Sequence, residues 1–382
     1  MLLLSGLVGG QKASEAMPQF AQATGLKCSA CHTMVPLLNA YGRYIQRTGY
    51  SALSRDDLKK TFPIWLEESV QYDSTAGHGS GTPQFDGGNV GVHAIGYAAP
   101  NVTYHAQVWV TQGSQPGGLD TLWVAYNDLL SPNSHLFAGK VLNPAPSIYS
   151  QGFDIDGPTA SNTVAGEHDW GATYGNRWGT RYAYISKGLD VEAAYLLSSD
   201  DLNGITDFNP GDKTFQWKVA YATPRSPFEA GLFGSNGSLP VSTGIDQYAS
   251  QAAYAQLDPT PKGRPGAFVA YQIARDSNPG SDPNGNPYPA VGTRGFSAEV
   301  FEPLLRGNLV LSVRKDFNDA NFTGGTTNGT AINAAFNLPG TPYLHGYVEA
   351  LLGGSSELAG VTGGPTWKGW LWLTVPVVLK AR

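Results

Sequence analysis

Charge is scarce in this chain. Only 14% of its 382 residues are Asp, Glu, Lys or Arg, against about a quarter in ordinary soluble domains. Cysteine is scarcer still, with 2 residues, and methionine occurs 3 times. No uninterrupted apolar run approaches ~18 residues, which excludes a helical membrane protein. No basic cluster occurs and the formal net charge is −6, so the electrostatic footprint of a nucleic-acid partner is missing. Walker loops, nucleophile elbows and metalloprotease helices are absent too.

What is present is glycine (48), proline (26), tyrosine (19) and tryptophan (9). Abundant aromatic and β-branched residues exclude a disordered chain. From about Pro63 to the end, segments of about ten residues alternate polar and apolar, separated by Gly, Pro, Asn and Asp, which is the period of a strand. In Thr214–Tyr221, Phe215, Trp217, Val219 and Tyr221 share one face, and Thr214, Gln216, Lys218 and Ala220 the other. Asp190–Leu197, Phe296–Glu302 and the final segment from Trp367 behave alike. Sixteen such segments start near residues 63, 89, 102, 120, 135, 176, 188, 213, 226, 246, 263, 292, 307, 329, 343 and 366.

Short turns, as at Lys187-Gly188 and Arg306-Gly307, alternate with long polar connections such as Gly152–Gly166 and Asn278–Ala290. That is the rhythm of an outer-membrane barrel, with turns on the periplasmic side and loops outside. A sandwich would need strongly apolar inner faces and charged outer ones, whereas here the polar face is mild and the apolar face carries Trp, Tyr, Leu and Val. In lipid every backbone N–H and C=O must be paired, and a closed barrel achieves this. The expected fold is therefore all-β, a transmembrane antiparallel barrel of about sixteen strands over residues 63–382. One departure is the end of the sequence, Val378-Leu379-Lys380-Ala381-Arg382, where many such barrels carry an aromatic residue.

Residues 1–16 read as a secretory signal, with an apolar stretch and a small-residue Ser14-x-Ala16 site but no basic start. Residues 17–62 form a separate helical segment. Pro18–Gly25 and Val35–Arg47 have helical spacing, and Ser54-Arg55-Asp56-Asp57 resembles a capping box. A segment of this size buries too little to fold alone without a staple or cofactor.

Inside it stands Cys28-Ser29-Ala30-Cys31-His32, which holds both cysteines of the chain. Cys-x-x-Cys-His is the attachment signature of c-type haem: each thiol adds across a porphyrin vinyl, and the histidine becomes the proximal iron ligand. A thioredoxin-like dithiol would need a βαβ setting. A structural zinc would need a second ligand pair, and the next histidine is His78. A plain disulfide requires neither the spacing nor the histidine. Cys28 and Cys31 are thus the expected thioether residues of one haem c, with His32 its proximal ligand. The sixth ligand is open, with Met17, His93 and His105 as weak candidates. His345 shares the polar, lumen-type faces of His93 and His105, where a hydrogen-bonded role is the plainer reading. Met34, two residues past His32, would not reach round the ring and is better read as core.

The run Met17-Pro18-Gln19-Phe20-Ala21, Thr24-Gly25, Cys28-x-x-Cys31-His32, Pro36-x-Leu38-Asn39, Gly42-Arg43 and Gly49-Tyr50 resembles the N-terminal region of the fused outer-membrane monohaem cytochrome–porins. That family includes bacterial iron(II)-oxidising outer-membrane cytochromes. The match covers about 34 residues; beyond it only the barrel architecture corresponds. The resemblance implies a helical cytochrome segment plugging the barrel from the periplasmic side. It also implies electron transfer across the outer membrane, from extracellular Fe(II) or another donor to a periplasmic c-type cytochrome or other carrier. It leaves the donor, and so the naming of any enzyme activity as Fe(II):cytochrome c oxidoreductase, unfixed. A diffusion porin with a haem-bearing plug, or outward transfer to an extracellular acceptor, fits the same barrel. Loop carboxylates at Asp154, Asp156, Asp200, Asp201, Asp207 and Asp212 would attract Fe²⁺, though solvated loop acids are the plainer reading of each.

Overall fold

The alternation is realised as a closed antiparallel barrel. The computed structural model describes residues 18–35, 37–73, 84–112, 115–146, 168, 175–197, 211–260, 263–282, 284–320, 325–337, 344–352 and 366–377. The barrel strands are β1 Ile64–Asp73, β2 Gln84–Ala99, β3 Val102–Gln112, β4 Leu119–Asn127, β5 Ser134–Val141, β6 Arg177–Ser186, β7 Leu189–Leu196 and β8 Lys213–Tyr221. They continue as β9 Phe228–Val241, β10 Gly244–Leu257, β11 Gly266–Asp276, β12 Val291–Leu304, β13 Leu309–Ala320, β14 Gly325–Asn337, β15 Leu344–Leu352 and β16 Thr366–Pro376. Each pairs antiparallel with its neighbours, and β16 closes on β1 from Pro376↔Trp65 to Lys368↔Asp73. A two-residue strand, Gln115–Pro116, adds a short hairpin beside β3. Each of the sixteen expected starts lies within five residues of an observed one.

The two faces of each strand are inverted relative to a soluble protein. In β8, Thr214, Gln216, Lys218 and Ala220 are buried, while Phe215, Val219 and Tyr221 are exposed. In β12, Ser297 and Glu299 are buried and Phe296 and Val300 exposed. Polar and charged groups thus line the inside, and Leu, Val, Ile and aromatic side chains cover the outside. Apolar surface on this scale is not left to water by soluble monomers; it is the lipid-facing band of a membrane barrel.

The connections sort the rims. The β6–β7 turn is Lys187-Gly188, with φ 50° and 91°, the doubly positive pair that matches strand twist in a two-residue hairpin. The β12–β13 turn runs through Leu305, Arg306 and Gly307, also at positive φ. Both turns lie at the rim where β1 begins and β16 ends. β5 ends and β6 begins at the other rim, as do the end of β11 and the start of β12; Gly152–Gly166 lies outside the described residues.

Before the barrel come α1 Pro18–Thr24, α2 Ala40–Arg47 and α3 Arg55–Leu58. The helix expected from Val35 starts later, at Ala40. Leu37–Leu38 instead pairs antiparallel with His32–Met34, and the Asn39 side chain accepts from Gly42 N–H at 3.0 Å, fixing the N-cap one residue before Ala40. Ser54 caps α3 as its motif suggests, accepting from Asp57 N–H at 3.3 Å.

If the outer face is in lipid, Val300→Arg should lower the folding stability of the barrel in bilayers by about 2–4 kcal/mol, the cost of an arginine near the midplane. Urea titration of vesicle-inserted protein measures it; a change within about 0.5 kcal/mol, typical of a water-exposed site, would contradict a lipid-facing position.

Candidate functional site

Cys28 opens a single 3₁₀ turn, Cys28–Ala30, and Cys31 N–H donates to the Cys28 carbonyl at 2.9 Å. One turn therefore presents both sulfurs, with His32 directly after it. The two thiols are not joined in a disulfide. Cys28 is buried and Cys31 and His32 half-buried. Burial pushes the Cys31 thiol up to about 11, so it is not the activated thiolate of a redox dithiol.

Asn39 holds this turn against α2. Its backbone N–H donates to the Cys31 carbonyl at 2.9 Å. Its side-chain amide donates to the carbonyls of Ala30 at 3.1 Å and Ser29 at 3.3 Å. Gly42 permits the approach, because a Cβ there would sit 2.0 Å from the Cys31 carbonyl oxygen. Two open clefts flank the turn, of ≈ 260 and ≈ 450 Å³. His32 lines both. Arg306, Asn308 and Asn337 of the barrel close one of them; Pro224, Pro227 and Asp258 close the other. Both open at the short-turn rim.

The segment touches the inner wall on three sides. On one, Arg43 donates from Nε to Glu229 at 2.8 Å, and from Nη1 to Asp258 at 2.8 Å and to the Leu38 carbonyl at 2.7 Å. Arg47 donates from Nη2 to Glu229 at 2.6 Å and lies 3.0 Å from Asp190. Lys218 at 2.9 Å completes the pairing of Asp190, and the Tyr254 hydroxyl donates to Glu229 at 2.6 Å. Burial works against both guanidinium charges, but Glu229 with Asp258 or Asp190 outweighs it and holds Arg43 and Arg47 above the usual arginine value. On a second side Tyr50, at φ 67°, stacks 5.5 Å from Trp123 and meets His105 Nδ1 at 3.3 Å through its hydroxyl. On the third, the His32–Met34 strand packs against β14.

The structure therefore brings Cys28, Cys31 and His32 together and leaves His93 and His105 elsewhere. His93 accepts or donates at Nε2 with Glu67, 2.6 Å away, and stacks 4.3 Å from Trp65. His105 sits beside it, and neither lines a cleft next to His32. Met17 lies outside the described residues, as do Asp154, Asp156, Asp200, Asp201 and Asp207. Asp212 is buried and pairs with Arg177. Met34 is 2% exposed, in the core. The sequence reading missed Asn39, Arg43, Arg47 and their wall partners as site residues; buried-type charges on α2, in an otherwise charge-poor chain, were the available signal. A second constellation lies at the opposite rim: His168 Nδ1 is 2.7 Å from Asp276 and 3.9 Å from Asp246. These three groups lie close enough together to hold a divalent cation.

No family model matches the chain, and no curated protein matches it. Solved structures do. An anion-selective porin from Comamonas acidovorans superposes with a TM-score of 0.58 at 12% identity, covering 83% of this chain and 99% of its own. Vibrio cholerae OmpT gives 0.54 at 13%, covering 81% and 98%. A Salmonella typhi OmpF complexed with daunomycin gives 0.54 at 11%, covering 82% and 97%. The likeness is one of fold: a closed porin-type barrel of sixteen strands.

Gly42→Ala should force the Cys28–His32 turn off α2 and destabilise the segment by about 1–3 kcal/mol, as overpacking does. Trypsin should then cut faster after exposed Lys27, with the barrel's heat-modifiable gel mobility unchanged. Arg47→Ala strips a charge partner from buried Glu229 and Asp190, at about 3–5 kcal/mol. Thermal unfolding in detergent should register that loss, and Arg47→Lys should recover only part of it.

Proposed function

We propose that this chain is an outer-membrane barrel whose N-terminal segment plugs the lumen from the periplasmic rim and carries one covalent c-type haem. In this reading it passes single electrons from an extracellular donor, Fe(II) foremost, to a periplasmic c-type cytochrome or similar carrier. If it is an enzyme, it is an Fe(II):cytochrome c oxidoreductase. The observation that carries the reading is the one turn that presents Cys28, Cys31 and His32 beside two clefts that His32 lines.

The residues fit the group. Each thiol S–H would add across a vinyl C=C, so that a C–S bond forms, the hydrogen goes to the other vinyl carbon and no oxidant is consumed. His32 would donate an imidazole lone pair to the iron. When bound, the haem supplies one-electron chemistry at its iron. Asn39 and Gly42 hold the turn in shape, and the Arg43 and Arg47 clasp keeps the segment against the wall. The even strand number supports the orientation, since it returns both barrel ends to the short-turn rim, the periplasmic one in porins. Among the described residues, buried carboxylates outnumber buried lysines and arginines, a lining that favours entry of a cation such as Fe²⁺.

The second reading is a diffusion channel, and the porin likeness favours it directly. Two measurements separate them. Protein matured with the c-type haem apparatus should retain haem on a denaturing gel, and Cys28→Ser/Cys31→Ser should lose it. Anaerobic Fe(II) should reduce the ferric protein, and planar bilayers should show little ion flux. Large porin-like conductance with no Fe(II)-dependent reduction would establish the channel and overturn the electron-transfer reading.

A further inference from the structure

Cys28–His32 offers the iron one axial ligand and leaves the opposite position open or to a group elsewhere in the chain. We propose that the second axial ligand is His345, on β15 of the barrel wall. The inference rests on the haem reading above.

Three observations converge on it. First, the cleft lined by Cys28 and His32 is closed on the wall side by Asn337, and the His32–Met34 strand packs against β14, the strand that ends in Asn337. Second, Asn337 and His345 face each other across the β14–β15 ladder, with Asn337 Oδ1 2.9 Å from His345 Nδ1. An amide oxygen only accepts, so Nδ1 carries the proton and Nε2 of the neutral ring keeps the lone pair. Orientation of a ligating histidine by a hydrogen bond at its other nitrogen is the usual support for a metal ligand.

Third, His345 is 1% exposed and its Nε2 has no hydrogen-bond partner. A buried polar atom without a partner costs about 1–3 kcal/mol, and a bond to iron would relieve it. The ring is also backed edge-on by Trp372 at 6.4 Å, itself stacked 5.7 Å from Trp370, which restricts its rotation.

The competing side chains lack this combination. His93 has Nε2 engaged by Glu67. His105 has a buried Nε2 without a partner as well, but its hydrogen-bond partner Tyr50 lines neither cleft, whereas Asn337, the partner of His345, lines one. Met34 lines the cleft, yet it stands two residues from His32 in an extended strand, on the same side as His32, whereas the second ligand must approach from the opposite face. With His345 as ligand, the iron would join the N-terminal segment to the barrel wall, a bond that the isolated segment cannot form.

The test uses the full-length, haem-loaded protein. Near-infrared magnetic circular dichroism and EPR of the ferric wild type should report a low-spin, bis-imidazole haem. His345→Ala should convert it to high spin and open the ferrous haem to carbon monoxide, and added imidazole should restore the low-spin spectrum. Asn337→Ala should give a mixed-spin haem, since its hydrogen bond only orients the ligand. The wild-type spectrum needs no variant, so the inference stays falsifiable even if His345→Ala folds poorly. A high-spin wild type, a methionine-type charge-transfer band, or a bis-imidazole spectrum that survives in folded His345→Ala would each overturn it while leaving the haem reading intact. Absence of covalent haem from the wild type would overturn both.

Discussion

Two arginines one helical turn apart hold the rest together. Arg43 and Arg47 reach from α2 to Glu229, Asp258 and Asp190 on the inner wall, all almost fully buried. Buried charges are tolerated only when paired and hydrogen-bonded, and here every partner depends on another. Glu229 receives both arginines and the Tyr254 hydroxyl, and Asp258 also accepts from the N-terminal amide of α2 at 2.8 Å. Lift the helix away and Glu229 and Asp258 lose their arginine partners. The barrel wall and the helical segment thus specify each other, and the Cys28–His32 turn inherits its position through Asn39 and Gly42.

That dependence resolves a problem of size. The segment before β1 has too few residues to bury a core of its own. Its apolar side chains instead share clusters with the wall: Ile45, Tyr50, Leu53 and Leu58 with Trp65, Trp123 and Phe137, and Met34 and Leu37 with Phe233, Phe268 and Tyr347. Tyr97 of β2 adds hydrogen bonds from its hydroxyl to the carbonyls of Ser51 and Leu53 at 3.1 and 3.0 Å. The described part of the segment thus meets the inner wall through apolar contacts, paired charges and hydrogen bonds.

The barrel was legible in the sequence because period-two alternation is a local signal that survives without knowledge of partners. Phe215, Val219 and Tyr221 read as one face and are exposed together; Thr214, Gln216 and Lys218 read as the other and are buried together. The start of α2 was not legible, since Val35–Arg47 keeps helical spacing and only the Asn39 cap, a contact made in three dimensions, moves the start to Ala40. The clasp was hidden for the same reason. Arg43 and Glu229 are 186 positions apart, and nothing local marks Glu229 as different from other strand carboxylates. Gly42 could be singled out by resemblance, but its reason, the 2.0 Å approach to the Cys31 carbonyl, needs the fold.

The position of the turn constrains what the barrel can contribute. Cys28–His32 opens toward the short-turn rim, beside Arg306, Asn308, Pro224 and Pro227, while β5 and β11 end, and β6 and β12 begin, at the other rim. A cofactor bound there would stand close to a periplasmic partner and a membrane's thickness from the outside, since the apolar band of such barrels is about 25 Å tall. Electrons from an external donor would then need the donor itself to come inward. A lumen whose buried carboxylates exceed its buried lysines and arginines favours that approach for a small cation and opposes it for an anion. An insoluble mineral or a large anionic reductant has no comparable route. Under the electron-transfer reading, the same charge balance that makes the wall a partner for Arg43 and Arg47 would favour small cationic donors.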